Sequence, residues 1–276
     1  MKRAIQKQHL KHAYYFNNYY KSFHYMESIM KKTFKLLSVL CLATSASLLS
    51  AAPIPIDLTS WESDGDGSWT VQGAGNDSVF QSINGRPTTF FEAGSNAQNT
   101  SIAGIISVET TNDDDFIGFV LGYQDGEMLS GTSDFMLIDW KKRDQALGKG
   151  GLAISRVLNA TRDTEFWEHT GGVTEIARGT NLGNTGWASN QSYNFDIVFQ
   201  SNLIQVKVNN ILELSITAAD AGLTAFSDGA AGFYNYSQGS VRYAGITEEQ
   251  ITVSAPATLS LFGILILMSL RLRKRR

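Results

Sequence analysis

Cysteine is all but missing from this 276-residue chain, whose one copy is Cys41. Cys41 lies inside the apolar run Leu36 to Leu49, which follows the basic stretch Met30-Lys-Lys-Thr-Phe-Lys and precedes the small residues Ser50-Ala51-Ala52. That order is a secretory signal peptide over residues 30–52. Leu40, just before the cysteine, is not the small residue a lipid-modified cysteine calls for. The exported chain then has no thiol, which excludes disulfides, thiolate nucleophiles and cysteine-based zinc sites. A domain of about 200 residues buries enough core to do without them. Histidine is scarce too. His9, His12 and His24 precede the signal peptide, leaving His169 as the one histidine of the exported chain. No serine in a nucleophile-elbow pattern accompanies it. Between Pro53 and Ser254, 10 Lys and Arg face 25 Asp and Glu, a net of −15. So few cations exclude nucleic acid, whose phosphates need clustered Lys and Arg. The acidity suits cations, or solubility in salt.

The bases are concentrated at the ends. Residues 1–52 carry eight Lys and Arg against one acid, and the last six residues carry five. Residues 1–29 are expected to be an extension ahead of a true start at Met26 or Met30. At the other end, residues 253–276 include PATLSLFGILILMSLRLRKRR. About 15 apolar-leaning residues fall short of the ~20 of a typical spanning helix, and the basic cap fits the cytoplasmic side of a membrane. This ending resembles the PEP-CTERM sorting signal of Gram-negative bacteria, with Ser254-Ala255-Pro256 in place of Pro-Glu-Pro. The resemblance implies processing by an exosortase-type enzyme. The alternative is a permanent C-terminal anchor, and either route passes through the inner membrane to the cell envelope, outer surface or extracellular space.

Between the ends the pattern is β. Short apolar or alternating runs recur at 102–108, 116–123, 135–140, 152–158, 193–199, 203–208, 211–216, 231–236 and 241–246, punctuated by Gly, Asn, Asp and Ser. The sharpest hairpin is Ile204-Gln-Val-Lys-Val208, Asn209-Asn210, Ile211-Leu-Glu-Leu-Ser-Ile216. Two asparagines tolerate the positive φ that a two-residue type I′ turn requires. Ile204, Val206 and Val208 are expected on one face, Gln205 and Lys207 on the other. No amphipathic helix of useful length is predicted, and Ala218 to Ala225 offers one or two turns. Many short half-buried strands imply an all-β sandwich, a single domain over residues 57–250.

The densest charge sits at Asp113-Asp114-Asp115, which runs directly into the apolar segment Phe116 to Tyr123. Three carboxylates at the entrance of a buried strand suit a hard cation such as calcium, which takes oxygen ligands at about 2.3–2.6 Å. A solvated turn using Asp for loop chemistry is the competing reading.

Five ordered blocks carry a family resemblance: NDDDFIGFVLGYQDG, SDFMLIDWKK, FWEHTGG, NTGWASNQSYNFDI and GAAGFYNYSQGSVRYAGI. Over about Ser78 to Thr247 the chain resembles the thrombospondin C-terminal domain. The resemblance implies a lectin-like jelly-roll β-sandwich, calcium at Asp113, Asp114 and Asp115, and extracellular adhesion. The disulfide and the calcium-loop repeats of animal members are absent, and Phe135-Met-Leu-Ile carries no receptor contact over.

Asp64-Gly-Asp66-Gly-Ser68 opens like an EF-hand loop, but Trp69 stands where Gly belongs and Gly75 where the bidentate Glu belongs, so a Gly-rich turn is predicted. Asp125, Asp134 and Asp139 are further candidates to complete a cation site. His169, in the Trp-x-His-Thr-Gly turn, is expected to be a structural hydrogen-bonder. Glu165 and Glu168 invite comparison with glycosidase carboxylates about 5 Å apart. On a strand, residues three apart point to opposite faces, so no catalytic residue is predicted. The expected function is that of a non-catalytic, calcium-binding adhesion or matrix-associated protein. The alternative is a carbohydrate-binding module for exopolysaccharide, and a glycan-active hydrolase ranks below both.

Overall fold

Two antiparallel sheets account for nearly all regular structure in residues 52–251, which are the residues the computed structural model describes. The segments expected to be an N-terminal extension, a signal peptide and a sorting signal lie, apart from Ala52, outside the described residues. Among the described residues no helix is long and apolar enough to cross a membrane.

The first sheet runs β13 (Ile211–Thr217), β12 (Leu203–Val208), β11 (Ser192–Gln200), β6 (Thr100–Val108), β15 (Val241–Gln250), β4 (Ser78–Gln81) and β3 (Trp69–Gln72), with β1 (Ile54–Pro55) also on β15. The second runs β10 (Val173–Arg178), β9 (Gly151–Leu158), β8 (Asp134–Lys141), β7 (Phe116–Tyr123), β14 (Ala230–Tyr236), β5 (Thr88–Phe91) and β2 (Glu62–Gly65). This is the expected all-β, jelly-roll type of sandwich. β6 lies between β11 and β15, and β7 beside β14, so strands distant in sequence close each sheet.

All nine runs picked out by apolar patterning are strands. In the β12–β13 hairpin, Asn209 and Asn210 have φ of 50° and 64°, and Val208 pairs with Ile211. Ile204, Val206 and Val208 are buried while Gln205 and Lys207 are half-exposed, as the alternation requires. The strands that patterning missed are β1 to β5 and β10, most of them two to four residues long.

The main core lies between the sheets, where Ile117, Phe119 and Leu121 of β7 meet Phe195, Ile197 and Phe199 of β11. A second apolar cluster lies outside the second sheet, built from Phe116, Val120, Phe135, Leu137, Val157 and Tyr234 with Phe166 packed over them. β7 is consequently buried at all eight positions, which explains its unbroken apolar run. Gly118 in its middle has no room for a side chain, because a Cβ there would lie 2.0 Å from the Ile138 carbonyl oxygen.

Phe166 comes from helix α1 (Asp163–Glu168), in a segment expected to be non-helical. Local chemistry explains it. Asp163 and Glu165 occupy the first turn, where acids favour the helix dipole. The Glu165 carboxylate accepts from the Thr161 and Arg162 N–H groups at 2.9 and 3.3 Å. His169 then ends the helix in the left-handed region at φ 50°.

At one side of the sandwich the two sheet edges, β10 and β13, are bridged by the strap Gly179–Gly183. The buried Glu213 of β13 accepts from the backbone of Asn181 and Leu182 at 2.8 and 3.0 Å, and its own carbonyl accepts from Thr180 N at 2.9 Å.

Candidate functional site

Asp113, Asp114 and Asp115 immediately precede β7, whose first residue, Phe116, pairs with Lys141 at the end of β8. The register thereby sets the acidic triplet against Lys141-Lys142-Arg143 as β8 leaves the sheet. Each aspartate offers a carboxylate oxygen within 4.8 Å of the other two. Asp113 is half-buried, whereas Asp114 and Asp115 are buried.

Two of the three carboxylates are already ion-paired. Asp115 pairs with the fully buried Lys141 ammonium, and Asp114 with the Arg143 guanidinium. Lys141 Nζ also donates to the Asp114 carbonyl oxygen at 3.3 Å and to Gln145 Oε1 at 2.7 Å. It lies 4.4 Å from the Trp167 ring centre and 4.9 Å from that of Phe116. An internal cation thus occupies an oxygen-and-aromatic cage. Gln238 fixes the backbone by accepting from Asp115 N at 3.0 Å.

Asp113 differs. It has no cationic partner among the described residues; Asn84 Nδ2 and the Asp114 N–H donate to its carboxylate. Burial, with added repulsion from Asp115 and Asp114, pushes its pKa up to about 6. The cluster therefore holds one under-neutralised carboxylate at its outer edge.

The other candidates fall elsewhere. Asp134 starts β8, seven residues from Lys141, which places it roughly 23 Å away at ~3.3 Å per residue. It pairs with Arg156 at 3.0 Å and accepts from Ser227 Oγ at 3.2 Å. Asp125 is exposed in the β7–β8 turn at that same far end. Asp139 lies on the covered face of the second sheet and receives His169 Nε2 at 2.8 Å. None of the three completes the triplet.

His169 sits among acids. Its Nδ1 is 3.4 Å from Glu175, which Arg178 also contacts at 3.1 Å. Burial alone would lower the His169 pKa, but the charge and hydrogen bond of Asp139, then those of Glu175, push it up to about 10. It is a charged cross-link between α1's end and the sheet, in keeping with the structural role expected of it.

The premise applied to Glu165 and Glu168 needs correction, because they stand on a helix rather than a strand. Residues three apart on a helix share a face. Glu165 is nonetheless engaged, since it caps α1 and pairs with Arg162 at 3.3 Å. Asp64 and Asp66 are likewise engaged. Asp64 ties β2 to Tyr123 Oη and to Met128 N at 3.3 Å, and Asp66 accepts from Arg86 N at 3.2 Å; Asp64 and Gly65 close β2, so the expected turn is confined to residues 66–68.

Lys141, Arg143, Asn84, Gln145 and Gln238 belong to the cluster and were not picked out from sequence. Complementarity between Asp113–Asp115 and Lys141–Arg143, at the facing ends of consecutive strands, was the available signal for two of them.

Comparison with known proteins bears on this site directly. Residues 64–158, which include the acidic triplet and Lys141–Arg143, match the family model described as the thrombospondin C-terminal region. Thrombospondin-3b of Danio rerio is 27% identical over 202 residues, covering 66% of this chain and 20% of that protein. Cartilage oligomeric matrix protein of Homo sapiens is 26% identical over 201 residues, covering 66% and 25%. The chain spans a quarter or less of the length of these curated relatives. Among solved structures, a Bacillus subtilis protein of unknown function with a galectin-like fold superposes with a TM-score of 0.50, covering 73% of this chain and 96% of that one at 9% identity. That likeness concerns the sandwich fold.

Proposed function

We propose that residues 57–250 form an exported, non-catalytic adhesion or matrix-associated module stabilised by calcium at the Asp113–Asp115 cluster. The observation that carries this reading is the position of the cluster inside the segment that matches the thrombospondin C-terminal region. The name of one relative places it in cartilage matrix, and a matrix or exopolysaccharide component is the corresponding partner here.

The donor set suits calcium in part. Carboxylate oxygens are the ligands this ion prefers, and Asp113 lacks a cationic partner among the described residues. Arg143, whose side chain is 70% exposed, can swing into solvent, but Asp114 is buried, so the guanidinium would leave only as calcium takes over its charge. Lys141 is fully buried and stays with Asp115. Asp113 and Asp114 would hold the ion, with Asp115 serving Lys141. Residues 30–52 would direct export, and residues 253–276 would be processed by an exosortase-type enzyme or retained as a membrane anchor.

Thermal melting of the purified chain in calcium chloride and in chelator, with metal analysis of the protein, tests the proposal. Calcium should raise the melting temperature, and Asp113→Asn should abolish the rise. Equal melting temperatures with no bound metal would remove calcium from the reading.

Glycan binding is the second reading. It is favoured by an open cleft lined by the polar side chains of Glu92, Ser95, Asn96, Thr100 and Glu248 beside the apolar Ile56 and Ile102.

A further inference from the structure

Lys141 is a buried amine with a single carboxyl group in contact. Beyond residue 41 the chain has no cysteine, so a covalent cross-link there needs other side chains. Lys141 ends β8 and Asp115 immediately precedes β7, and both are buried where they meet. Both are also held in place. The Asp115 N–H donates to Gln238 Oε1 at 3.0 Å, and its carbonyl accepts from Trp187 Nε1 at 3.0 Å. The Lys141 ammonium has three N–H groups. Three acceptors take them: Asp115 Oδ1, the Asp114 carbonyl at 3.3 Å and Gln145 Oε1 at 2.7 Å. The rings of Phe116 and Trp167, centred 4.9 and 4.4 Å away, wall the nitrogen in.

Such a pair has two fates. As ions the partners remain together, and the lost hydration of two charges offsets much of their attraction. Passing one proton from the ammonium to Asp115 removes both charges, which a site closed to water favours. The other two N–H groups stay on Gln145 and the Asp114 carbonyl. The lone pair that the proton leaves behind then faces the Asp115 carboxyl. Reacting groups fixed in contact need no encounter, and well-oriented cases reach effective molarities of about 10⁵ M and above. The same enclosure withholds the water that the reverse step consumes.

We propose that Lys141 and Asp115 condense into an isopeptide cross-link between β7 and β8. A bond forms between Lys141 Nζ and Asp115 Cγ, and one Cγ–Oδ bond of Asp115 breaks. That oxygen leaves as water with two of the three ammonium protons. The third proton stays on the amide nitrogen, and nothing is oxidised or reduced. Gln145 Oε1 remains as acceptor for the amide N–H. The link exchanges a buried ion pair for a neutral group and closes the β7–β8 hairpin covalently. The side chains of Asp113 and Asp114 are not reactants, so the link does not depend on the calcium reading.

Mass spectrometry of the full chain, purified in its folded state and then unfolded in guanidinium, tests the proposal. Wild type, with its two ends sequenced, should weigh one water less than its sequence. Cleavage after Glu109, Glu127 and Glu165 should release residues 110–127 and 128–165 as one joined species. Lys141→Met should restore the full mass and let the two fragments separate. Lys141→Met combined with Asp115→Ala, which strands no charge, should do the same if the single variant fails to fold. Wild type at full mass with separate fragments would overturn the proposal and leave an ion pair only. A water loss that persists in the variants would also overturn it, because it would belong elsewhere, as in ring closure at Asp125-Gly126.

Discussion

The outward faces of the two sheets solve one problem in opposite ways. The first sheet alternates along β11 and β12 and meets water with Asn194, Asp196, Gln205 and Lys207. The second sheet is roofed by α1 and its flanking loops, so its outward face forms a second core. Charges on the two faces differ accordingly. Lys207 and Asp196 pair at 2.9 Å with side chains 40% and 35% exposed. Lys141 with Asp115, and His169 with Asp139, pair almost out of reach of solvent. A buried pair is costly to form and costlier to break, because the surviving partner cannot recover its hydration.

That contrast is open to attack, beginning where the effect should be greatest. Lys141→Met should destabilise the domain by about 3–5 kcal/mol in urea unfolding, since it strands Asp115 in a buried site. A loss under about 1 kcal/mol would mean that water reaches the site. Phe166→Ala, which opens the roof, should also cost about 3–5 kcal/mol, and should raise dye binding to the newly exposed apolar face. Raising the pH should weaken the roof next. The folded His169 pKa lies above its unfolded value, so the stability it contributes is complete below about 6.5 and is lost as pH rises through about 10. A His169→Gln variant should flatten that alkaline decline in a series of melts. Lys207→Ala, on the open face, should change stability by less than about 1 kcal/mol, and a larger loss would erase the distinction between the faces.

Legibility in the sequence followed the same division. On the open sheet, half-burial writes an alternation that can be read residue by residue, and the Asn209-Asn210 turn fell where the pattern put it. On the roofed sheet β7 reads as a continuous apolar run, enough to predict a strand but silent about what covers it. The cover itself was missed because α1 is six residues long, too short for a helical period, and is held by capping and by packing of Phe166. The four-residue strands β2 to β5 carry too few positions to show a period. The acidic triplet was visible as charge, and its clustering followed from adjacency. Its pairing with Lys141 and Arg143 depends on the β7–β8 register, which no local pattern of carboxylates expresses. The ammonium of Lys141 fills part of the space that a metal reading of the sequence had assigned to calcium.

The strap over β10 and β13 has a consequence for how copies of this protein behave together. Unpaired strand edges are templates on which a second chain can add a strand. Here Glu213 anchors Asn181 and Leu182 across that border, and its own carbonyl is taken by Thr180. The buried Glu213 carboxylate therefore pins the strap at the border of the two sheets, where it takes up one carbonyl of β13 that an added strand would need.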